Sequence, residues 1–434
     1  MRKRAIAAAA VAAAVSLVVA GCSSSGSGSS SSGATITYWA SNQGTSLAND
    51  KQVLTPVLDE FTKETGVKVK LEVIGWNDLQ TRIQTAVTSG QGPDVLNIGN
   101  TWAASLQATG AFLPFDDANM KSIGGSDKFV KTALETGGAP GKPVTSVPLY
   151  GLAYGLYYNK KMYSDAGLQP PTTWEELVTA AKKLTTGSQY GFSLAAGSYT
   201  ENVHFAFINA SQNGGEWFDS KGNPTFTQQA NIDGIKRYLD LMQTDKVVNP
   251  SNAQYDNGVQ AVNDFATGKV AMILSQNNAD ASIVSNGMKS DQYGVVPFPA
   301  PEGAKKIASF PAGINLSIFK NTKNKDAALK FVKYMTSEST QGKLAKPYAV
   351  LPVLNGLKPG FTDNADEAAT FQKIYNDMTK PLPLVPAEDQ FENTVGKAMN
   401  DMFAKIATGS TISDADIKTA MQNAQDQVKQ SLGG

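Results

Sequence analysis

Residues 158–184, YNKKMYSDAGLQPPTTWEELVTAAKKL, carry the clearest structural signal in the sequence. Pro170 and Pro171 break the chain, because proline lacks a backbone N–H and restricts the residue before it. Thr173 and Glu176 follow with the spacing of a capping box, in which two side chains satisfy backbone N–H groups at the start of a helix. The apolar stripe behind them has helical spacing and consists of Leu177, Ala180, Ala181 and Leu184. This stretch predicts a helix that buries one face.

Helices and strands alternate in the sequence on either side. Apolar residues recur at helical spacing in 54–61 and 328–335, and they alternate with charged residues in 67–73. Two uninterrupted apolar stretches, DVLNIG at 94–99 and VAMIL at 270–274, are typical of strands covered on both faces. We therefore expect an α/β fold with largely parallel sheets.

The amino-terminal segment predicts export. Basic residues at 2–4 precede an uncharged run at 5–20, which is shorter than the roughly 20 apolar residues needed to span a bilayer. Small residues at 20 and 21 suit a cleavage site, so we assign 1–21 as a signal peptide. No second apolar run is long enough to cross a membrane.

The single cysteine of the chain, Cys22, follows this run directly. Residues 19–22, VAGC, resemble the lipobox of bacterial lipoproteins, and the resemblance implies a lipid on Cys22 after cleavage. The serine and glycine tract within 22–33 would then be a flexible tether. The alternative is an ordinary secreted protein, but its lone thiol would have no internal disulfide partner in an oxidising compartment.

Charge and length restrict the class of protein further. Without the basic residues at 2–4, the 38 basic residues become 35, which face 38 acidic ones. This balance leaves no nucleic-acid-binding footprint. The roughly 400 residues beyond the tether exceed one typical core and indicate two large lobes.

The sequence offers little catalytic chemistry. His204 is the only histidine, and its apolar neighbours indicate a core position, so neither a Ser-His-Asp relay nor a metal cluster is expected. The acidic pair 116–117 lies in a predicted surface loop, and the pair 175–176 lies in the first turn of a predicted helix. We therefore expect a protein that is not an enzyme and that uses no cofactor or metal.

Aromatic and amide side chains stand instead where three predicted strands end: Trp39 and Asn42, then Trp76, then Asn100, Thr101 and Trp102. Ligands of open α/β sheets lie beyond the carboxyl ends of the strands. A sugar stacks its C–H faces on aromatic rings, while its hydroxyls need paired donors and acceptors. The pattern therefore predicts a saccharide-binding crevice.

Four blocks of the chain, in order and spacing, resemble the extracellular solute-binding proteins of ABC importers, the maltose-binding-protein-like family. They are GPDVLNIGNTWAASLQATGAFLPFDD (92–117), VPLYGLAYGLYYNKKMYSDAGLQPPTTWEELVTAAKKL (147–184), FATGKVAMILSQ (265–276) and FPAGINLSIFKNTKNKDAALKFVKYMTSEST (310–340). The most specific part is Tyr158-Asn159-Lys160 followed by PPTTWEEL.

The resemblance implies a two-lobed periplasmic-binding-protein type II fold, with a ligand cleft between lobes joined by hinge crossings. Lobe 1 would comprise 34–148 and 295–335, and lobe 2 would comprise 149–294 and 336–434. The crossings would fall near 147–150, 294–297 and 335–340.

The resemblance also extends the site. It implies ligand contacts from the three loops above and from both lobes near the crossings, through Tyr150, Tyr154, Tyr199, Glu201, Asn278, Phe310, Gly313 and Tyr348. One departure is the sequence SQNNAD at 275–280, which places Asn278 where many sugar binders have a stacking tryptophan. Phe310 or Tyr348 could replace the missing ring.

The function implied is a monomeric, lipid-anchored, extracellular component of an ABC import system, which captures a neutral sugar or oligosaccharide and delivers it to permease subunits. Alternatives remain within the same fold. A sugar phosphate would need basic residues that the predicted loops lack, and a polyamine would need several carboxylates, of which only Asp78 and Glu201 qualify. A peptide and, from another class, a lipid-anchored polysaccharide hydrolase using Glu201 complete the alternatives.

Overall fold

The computed structural model describes residues 33–433. The predicted signal peptide, the lipidation site Cys22 and the tether up to residue 32 lie outside the described residues. Within 33–433, every helix is too short or too polar to traverse a bilayer.

Nine strands are found in residues 33–433: β1 Thr35–Ser41, β2 Lys68–Ile74, β3 Val95–Gly99, β4 Ser146–Leu152, β5 Tyr154–Asn159, β6 Tyr190–Ser193, β7 Val270–Gln276, β8 Tyr293–Val296 and β9 Ala312–Ile318. The first eight helices are α1 Leu47–Thr65, α2 Trp76–Ser89, α3 Ala103–Ala108, α4 Asp117–Ser122, α5 Lys131–Glu135, α6 Lys160–Asp165, α7 Trp174–Leu184 and α8 Tyr199–Gln212. The others are α9 Gln229–Gln243, α10 Gly258–Ala266, α11 Ala279–Ser285, α12 Lys325–Met335, α13 Glu338–Tyr348, α14 Ala365–Asp377, α15 Glu388–Ala407 and α16 Asp414–Gly433. Two 3₁₀ turns occupy Asn100–Trp102 and Pro250–Gln254.

The helix predicted from residues 172–184 is α7. Thr173 accepts the backbone N–H of Glu176, and the Glu176 carboxylate accepts backbone N–H groups in return, so the capping box is complete. The predicted apolar stripe and Trp174 are buried. Local capping and one apolar face are therefore sufficient to define this helix.

The strands form two mixed sheets, with the orders β2-β1-β3-β9-β4 and β6-β7-β5-β8. β1 is parallel to β2 and β3, but β9 is antiparallel to β3 and β4, and β5 is antiparallel to β7 and β8. The expectation of largely parallel sheets is therefore wrong. The reason is that β5 and β9 are entered directly from the other sheet, without the crossover helix that makes neighbouring strands parallel.

The two sheets define two lobes, and the chain changes sheet at different residues from those predicted. β4 remains in the first sheet as far as Leu152, and β5 starts the second sheet at Tyr154, so the predicted boundary at 148/149 falls inside β4. The predicted boundary at 294/295 likewise falls inside β8, and the return to the first sheet occurs between Val296 and Ala312.

The assignment of all of 336–434 to lobe 2 is also wrong. α13 packs against α1 and α12 of the first lobe. Further along the chain, Leu354 forms an antiparallel β-bridge with Phe129 of the first lobe. The Asn355 N–H donates to the carbonyl of Lys128, also in the first lobe. α14 is the first element after this point to pack on β5 and β8, so the third passage lies between 355 and 365. Leu344 of α13 is buried in this helix, which packs on the first lobe.

Candidate ligand-binding site

Three loops that carry predicted site residues lie at one edge of the first sheet. They follow β1, β2 and β3, which are mutually parallel, so their carboxyl ends point the same way. Asn42, Trp76 and the 3₁₀ turn Asn100–Trp102 occupy these three positions. The sequence argument that placed these residues together is consistent with this arrangement.

Two tryptophans form the aromatic part of this edge. The rings of Trp76 and Trp102 meet edge to face with their centroids 5.6 Å apart. Trp76 is 37% exposed, whereas Trp102 is buried at 9%. The backbone at Gly99 passes close to both rings. A Cβ built on Gly99 would lie 3.6 Å from Trp102 and 3.7 Å from Trp76, which are ordinary van der Waals distances. The pair offers a partly open apolar surface to a ligand.

Two other predicted residues at this edge bind groups of the protein itself. Trp39 packs against a cluster beneath α2, and the Arg82 guanidinium lies 4.5 Å from its ring centroid. The buried Asn100 amide donates to the carbonyl of Pro311 at 2.7 Å and to the Thr136 hydroxyl at 3.2 Å. The structure therefore gives both residues a structural role.

A second set of predicted residues surrounds Asp50. Asn42 Nδ2 donates to the Asp50 carboxylate at 2.5 Å, and the backbone N–H groups of Gln43 and Gly44 also bind it. The rings of Tyr150 and Tyr348 lie 6.0 Å apart, and both residues are buried. Burial raises the pKa of the Tyr348 hydroxyl, and the nearby Tyr150 and Asp50 side chains raise it further.

The wall of the second lobe contains a chain of polar contacts. Tyr154 Oη lies 2.9 Å from Nδ1 of His204, and Nε2 of His204 lies 3.3 Å from the Glu392 carboxylate. The side chain of Thr101 also contributes to lowering the pKa of Glu392, which places the two side chains near each other. Thr101 belongs to the first lobe, and α15 packs against both α3 and the 3₁₀ turn. This contact therefore connects the two lobes across the cleft.

Burial and charge shift the pKa values of this wall. Burial raises the pKa of the Tyr154 hydroxyl well above its ordinary value, and the carboxylates of Glu201 and Glu392 raise it further. Burial also raises the pKa of Glu201 to about 7, although the Gly258 N–H donates to its carboxylate. Burial raises the pKa of Glu392, but the hydrogen bond and charge of His204 lower it, and the net pKa lies below the ordinary value.

Two predicted residues of the strand β9 region are buried beside this wall. The Phe310 ring lies 4.6 Å from that of His204 and 5.9 Å from that of Tyr154. A Cβ on Gly313 would lie 2.5 Å from the Tyr150 carbonyl, so this glycine allows β9 to approach β4. Phe310 is therefore part of the aromatic lining, whereas Gly313 has a packing role.

The remaining predicted residues lie at helix starts of the second lobe. Tyr199 begins α8 and is partly exposed, and a Cβ on Gly396 would meet its carbonyl. Asn278 precedes α11 and is also partly exposed. Its neighbour Asn277 is fully buried and joins Ala153 to Ala349, where the lobes meet.

Sequence reasoning missed three residues of this wall. His204 was expected in the core, and it is buried, but its ring bridges Tyr154 and Glu392. Glu388 and Glu392 are separated by one helical turn on α15 and are also buried. Their spacing is that of an ordinary solvated helix face, so no local signal in the sequence distinguishes them. The sequence argument against a polyamine counted only Asp78 and Glu201 as available carboxylates. Glu388 and Glu392 add two, which weakens that argument.

The arrangement is suited to binding. Aromatic rings and polar groups lie together here, and the two ring nitrogens of His204 contact the Tyr154 hydroxyl and the Glu392 carboxylate. A separate cavity of about 590 Å³ opens on the first lobe beside Lys128 and Tyr334, and none of the predicted site residues lines it. The fold and the cleft together define a two-lobed binding protein.

The comparison with known families agrees. The family described as "Bacterial extracellular solute-binding protein" matches residues 11–342, so this chain belongs to that family. The family consists of binding proteins, which supports a role without catalysis.

Named relatives share about a quarter of the sequence. The diacetylchitobiose binding protein DasA of Streptomyces coelicolor is 27% identical over 83% of this chain and 82% of its own length. A probable amino-acid ABC transporter periplasmic-binding protein of Sinorhizobium fredii is 25% identical over 82% of this chain and 83% of its own length.

The fold is that of solved maltose-binding-like proteins. The GacH receptor of Streptomyces glaucescens, studied unliganded and in complex with acarbose, superposes with a TM-score of 0.77 and 23% identity. The match covers 91% of this chain and 98% of the receptor, so the two-lobed architecture is shared along nearly the whole chain.

Proposed function

We infer that this chain is the substrate-binding component of an ABC import system, which captures a saccharide between its two lobes and presents it to permease subunits. The observation that carries this proposal is the packing of α15 against the 3₁₀ turn Asn100–Trp102 of the first lobe, with the Trp76 and Trp102 rings on the adjoining edge. A ligand that touches both lobes stabilises the closed form by its differential affinity. The saccharide-binding relative supports a sugar, whereas the amino-acid relative represents the competing solute class.

A ligand screen tests the proposal directly. Purified protein without residues 1–33 is mixed with mono- and oligosaccharides, amino acids and short peptides, and unfolding midpoints are recorded. We expect a saccharide to raise the midpoint, because a ligand bound only by the native state adds stability as the logarithm of its occupancy. A rise with an amino acid or peptide alone would contradict the sugar assignment.

Matched variants then locate the site. Trp76→Ala removes the exposed ring at the cleft edge, and Val284→Ala truncates an apolar side chain that is 47% exposed on α11. We expect saccharide affinity to fall about tenfold or more in Trp76→Ala, the loss of one stacked ring. Val284→Ala should bind as the wild type does. Equal affinity in all three proteins would place the ligand elsewhere.

We propose also that the mature chain is held at the outer face of the cell membrane by a lipid on Cys22. The support is the sequence VAGC at 19–22 and the serine and glycine tract that follows. Expression of the full chain in a bacterium fed radiolabelled palmitate should label the wild type, while Cys22→Ser should remain unlabelled. Release of the wild type into the medium without label would contradict the anchor.

A further inference from the structure

One buried carboxyl group on α15, that of Glu388, has another carboxyl group as its neighbour. Glu388 begins α15 and is 0% exposed. Apart from the Glu392 carboxyl group, no group in the described part of the chain hydrogen-bonds its oxygens. Burying two ionised carboxylates side by side is costly, so the pair keeps a proton on Glu388 in the free protein. Such a pair is rarely retained unless it has a use.

The neighbour of this carboxylate is another carboxylate. Glu392 lies one helical turn further on the same face of α15 and is 3% exposed. Burial raises the pKa of Glu388 well above its ordinary value, and the Glu392 carboxylate beside it raises it further. Because α15 packs against the 3₁₀ turn and α3 of the first lobe, this helix lies where the lobes meet.

Cations of the surrounding elements are held by other groups. His204 contacts Glu392 and Tyr154. Lys380 binds Glu216 at 2.8 Å, and Arg237 donates to the side chains of Asn209 and Gln212. Two carboxylates thus face one imidazole, and the wall has an excess of acceptors.

We propose that the ligand carries a basic amine, and that its ammonium group is bound between the carboxylates of Glu388 and Glu392; this inference rests on the proposed function and narrows the saccharide to an amino sugar. An ammonium group has three donors and a full positive charge, so it can replace the proton held by the pair and donate to both carboxylates. A neutral hydroxyl supplies one donor and no charge. The rings of Tyr154 and Phe310 pack against His204, which contacts Glu392, and aromatic rings suit a cation with an apolar body.

An inorganic cation fits less well. Residues 33–433 contain no group of three or more His, Cys, Asp or Glu side chains arranged to hold a metal ion. A divalent cation needs at least six oxygen ligands for calcium or near-octahedral geometry for magnesium. An organic ammonium group needs only directed acceptors, and Glu388 and Glu392 supply them.

A ligand pair that differs only in the amine tests the inference. The glucosamine disaccharide and its N,N′-diacetyl form are titrated calorimetrically into the wild type and into Glu388→Gln. Glu338→Gln, on the exposed surface of α13, is the control variant. The wild type and the control should prefer the free amine by about tenfold or more, the scale of one charge-assisted contact. Glu388→Gln should abolish this preference, and its unfolding midpoint verifies that it folds.

The outcomes separate the inference from the proposed function. Preference for the diacetyl form, or an unchanged preference in Glu388→Gln, would overturn the inference and leave saccharide binding intact. Binding of spermidine in place of every sugar would support the ammonium site and contradict the saccharide function. If no saccharide and no amine binds, both proposals fail.

Discussion

Asn277 is a single buried residue that ties together two segments where the lobes meet. Its Oδ1 accepts the N–H of Ala153 at 2.8 Å, and its Nδ2 donates to the carbonyl of Ala349 at 2.5 Å. Asn277→Ala leaves both backbone groups buried without these partners. We expect the free energy of unfolding to fall by about 3 kcal/mol, measured by urea denaturation.

The adjacent asparagine is the natural control. Asn278 is partly exposed before α11, so Asn278→Ala should change the free energy of unfolding by less than about 1 kcal/mol. If both variants lose the same stability, the bonds from Asn277 do not join the two segments energetically.

Residues of the site differ in how far the sequence reveals them. Trp76 and Trp102 could be found because they follow strands at a shared sheet edge, and strand ends have a recognisable pattern. Glu388 and Glu392 could not, because their burial depends on α15 packing against α8 and α3, which are remote in sequence. Asn100 was identified, but only the structure shows its amide occupied by Pro311.

At the scale of elements, the capping box of α7 makes a contribution to the free energy of unfolding that can be measured separately. Thr173 accepts the N–H of Glu176 at 3.2 Å. We expect Thr173→Ala to lower the free energy of unfolding by about 1 kcal/mol, because a helix-start N–H loses its acceptor. Thr179→Ala, on the exposed face of the same helix, should cause no loss. Equal losses in chemical denaturation would mean that the cap is energetically silent.

α14 is joined to the second lobe by a pair of acidic residues. Burial raises the pKa of Glu367 to about 8, and the neighbouring Asp280 carboxylate adds to the shift. The Tyr293 hydroxyl donates to Asp280. The folded chain therefore keeps a proton that the unfolded chain releases above about pH 4.5.

This pair predicts a pH dependence of stability. A raised folded-state pKa gives stability that is complete below the unfolded pKa and is lost as the pH rises to about 8. The free energy of unfolding should therefore decrease from about pH 5 to about pH 8, and Glu201 acts in the same direction. Glu367→Gln should make this decrease shallower, by at most about 1.4 kcal/mol per pH unit. The exposed Glu175→Gln should keep the wild-type slope, and an equal slope in Glu367→Gln would contradict the assignment.

Helices and strands are easier to predict from the sequence than whether neighbouring strands run parallel or antiparallel. α1, α7 and α12 follow from apolar spacing, and β3 and β7 follow from uninterrupted apolar runs. A strand buried on both faces, such as β9, has the same residue pattern whether its neighbours are parallel or antiparallel. Direction is decided by where the chain enters the sheet, which depends on the passages between lobes. The passage after α13 was misplaced for the same reason, because its contacts with α1 span nearly 300 residues, about the separation that local patterns cannot reach.

At the scale of the whole molecule, the lobes are in contact where α15 packs against the 3₁₀ turn that carries Thr101. Buried apolar side chains cover both sheets. We therefore expect the sheets to keep their shape while the passages between them change conformation. Binding energy that acts on both lobes can then change the population of open and closed forms without deforming either sheet.

A steric wedge at that contact tests this description. Thr101→Trp places a large side chain against α15, where the lobes meet, and should hold them apart. In small-angle X-ray scattering, we expect a larger radius of gyration than that of the wild type, and no compaction when a bound saccharide is added. Thr85→Trp, on the exposed face of α2, adds the same ring away from the contact and should scatter as the wild type does. If Thr101→Trp and Thr85→Trp give superimposable scattering curves and both become more compact with ligand, the contact between Thr101 and α15 is not needed for closure. The lobes must then close through other contacts.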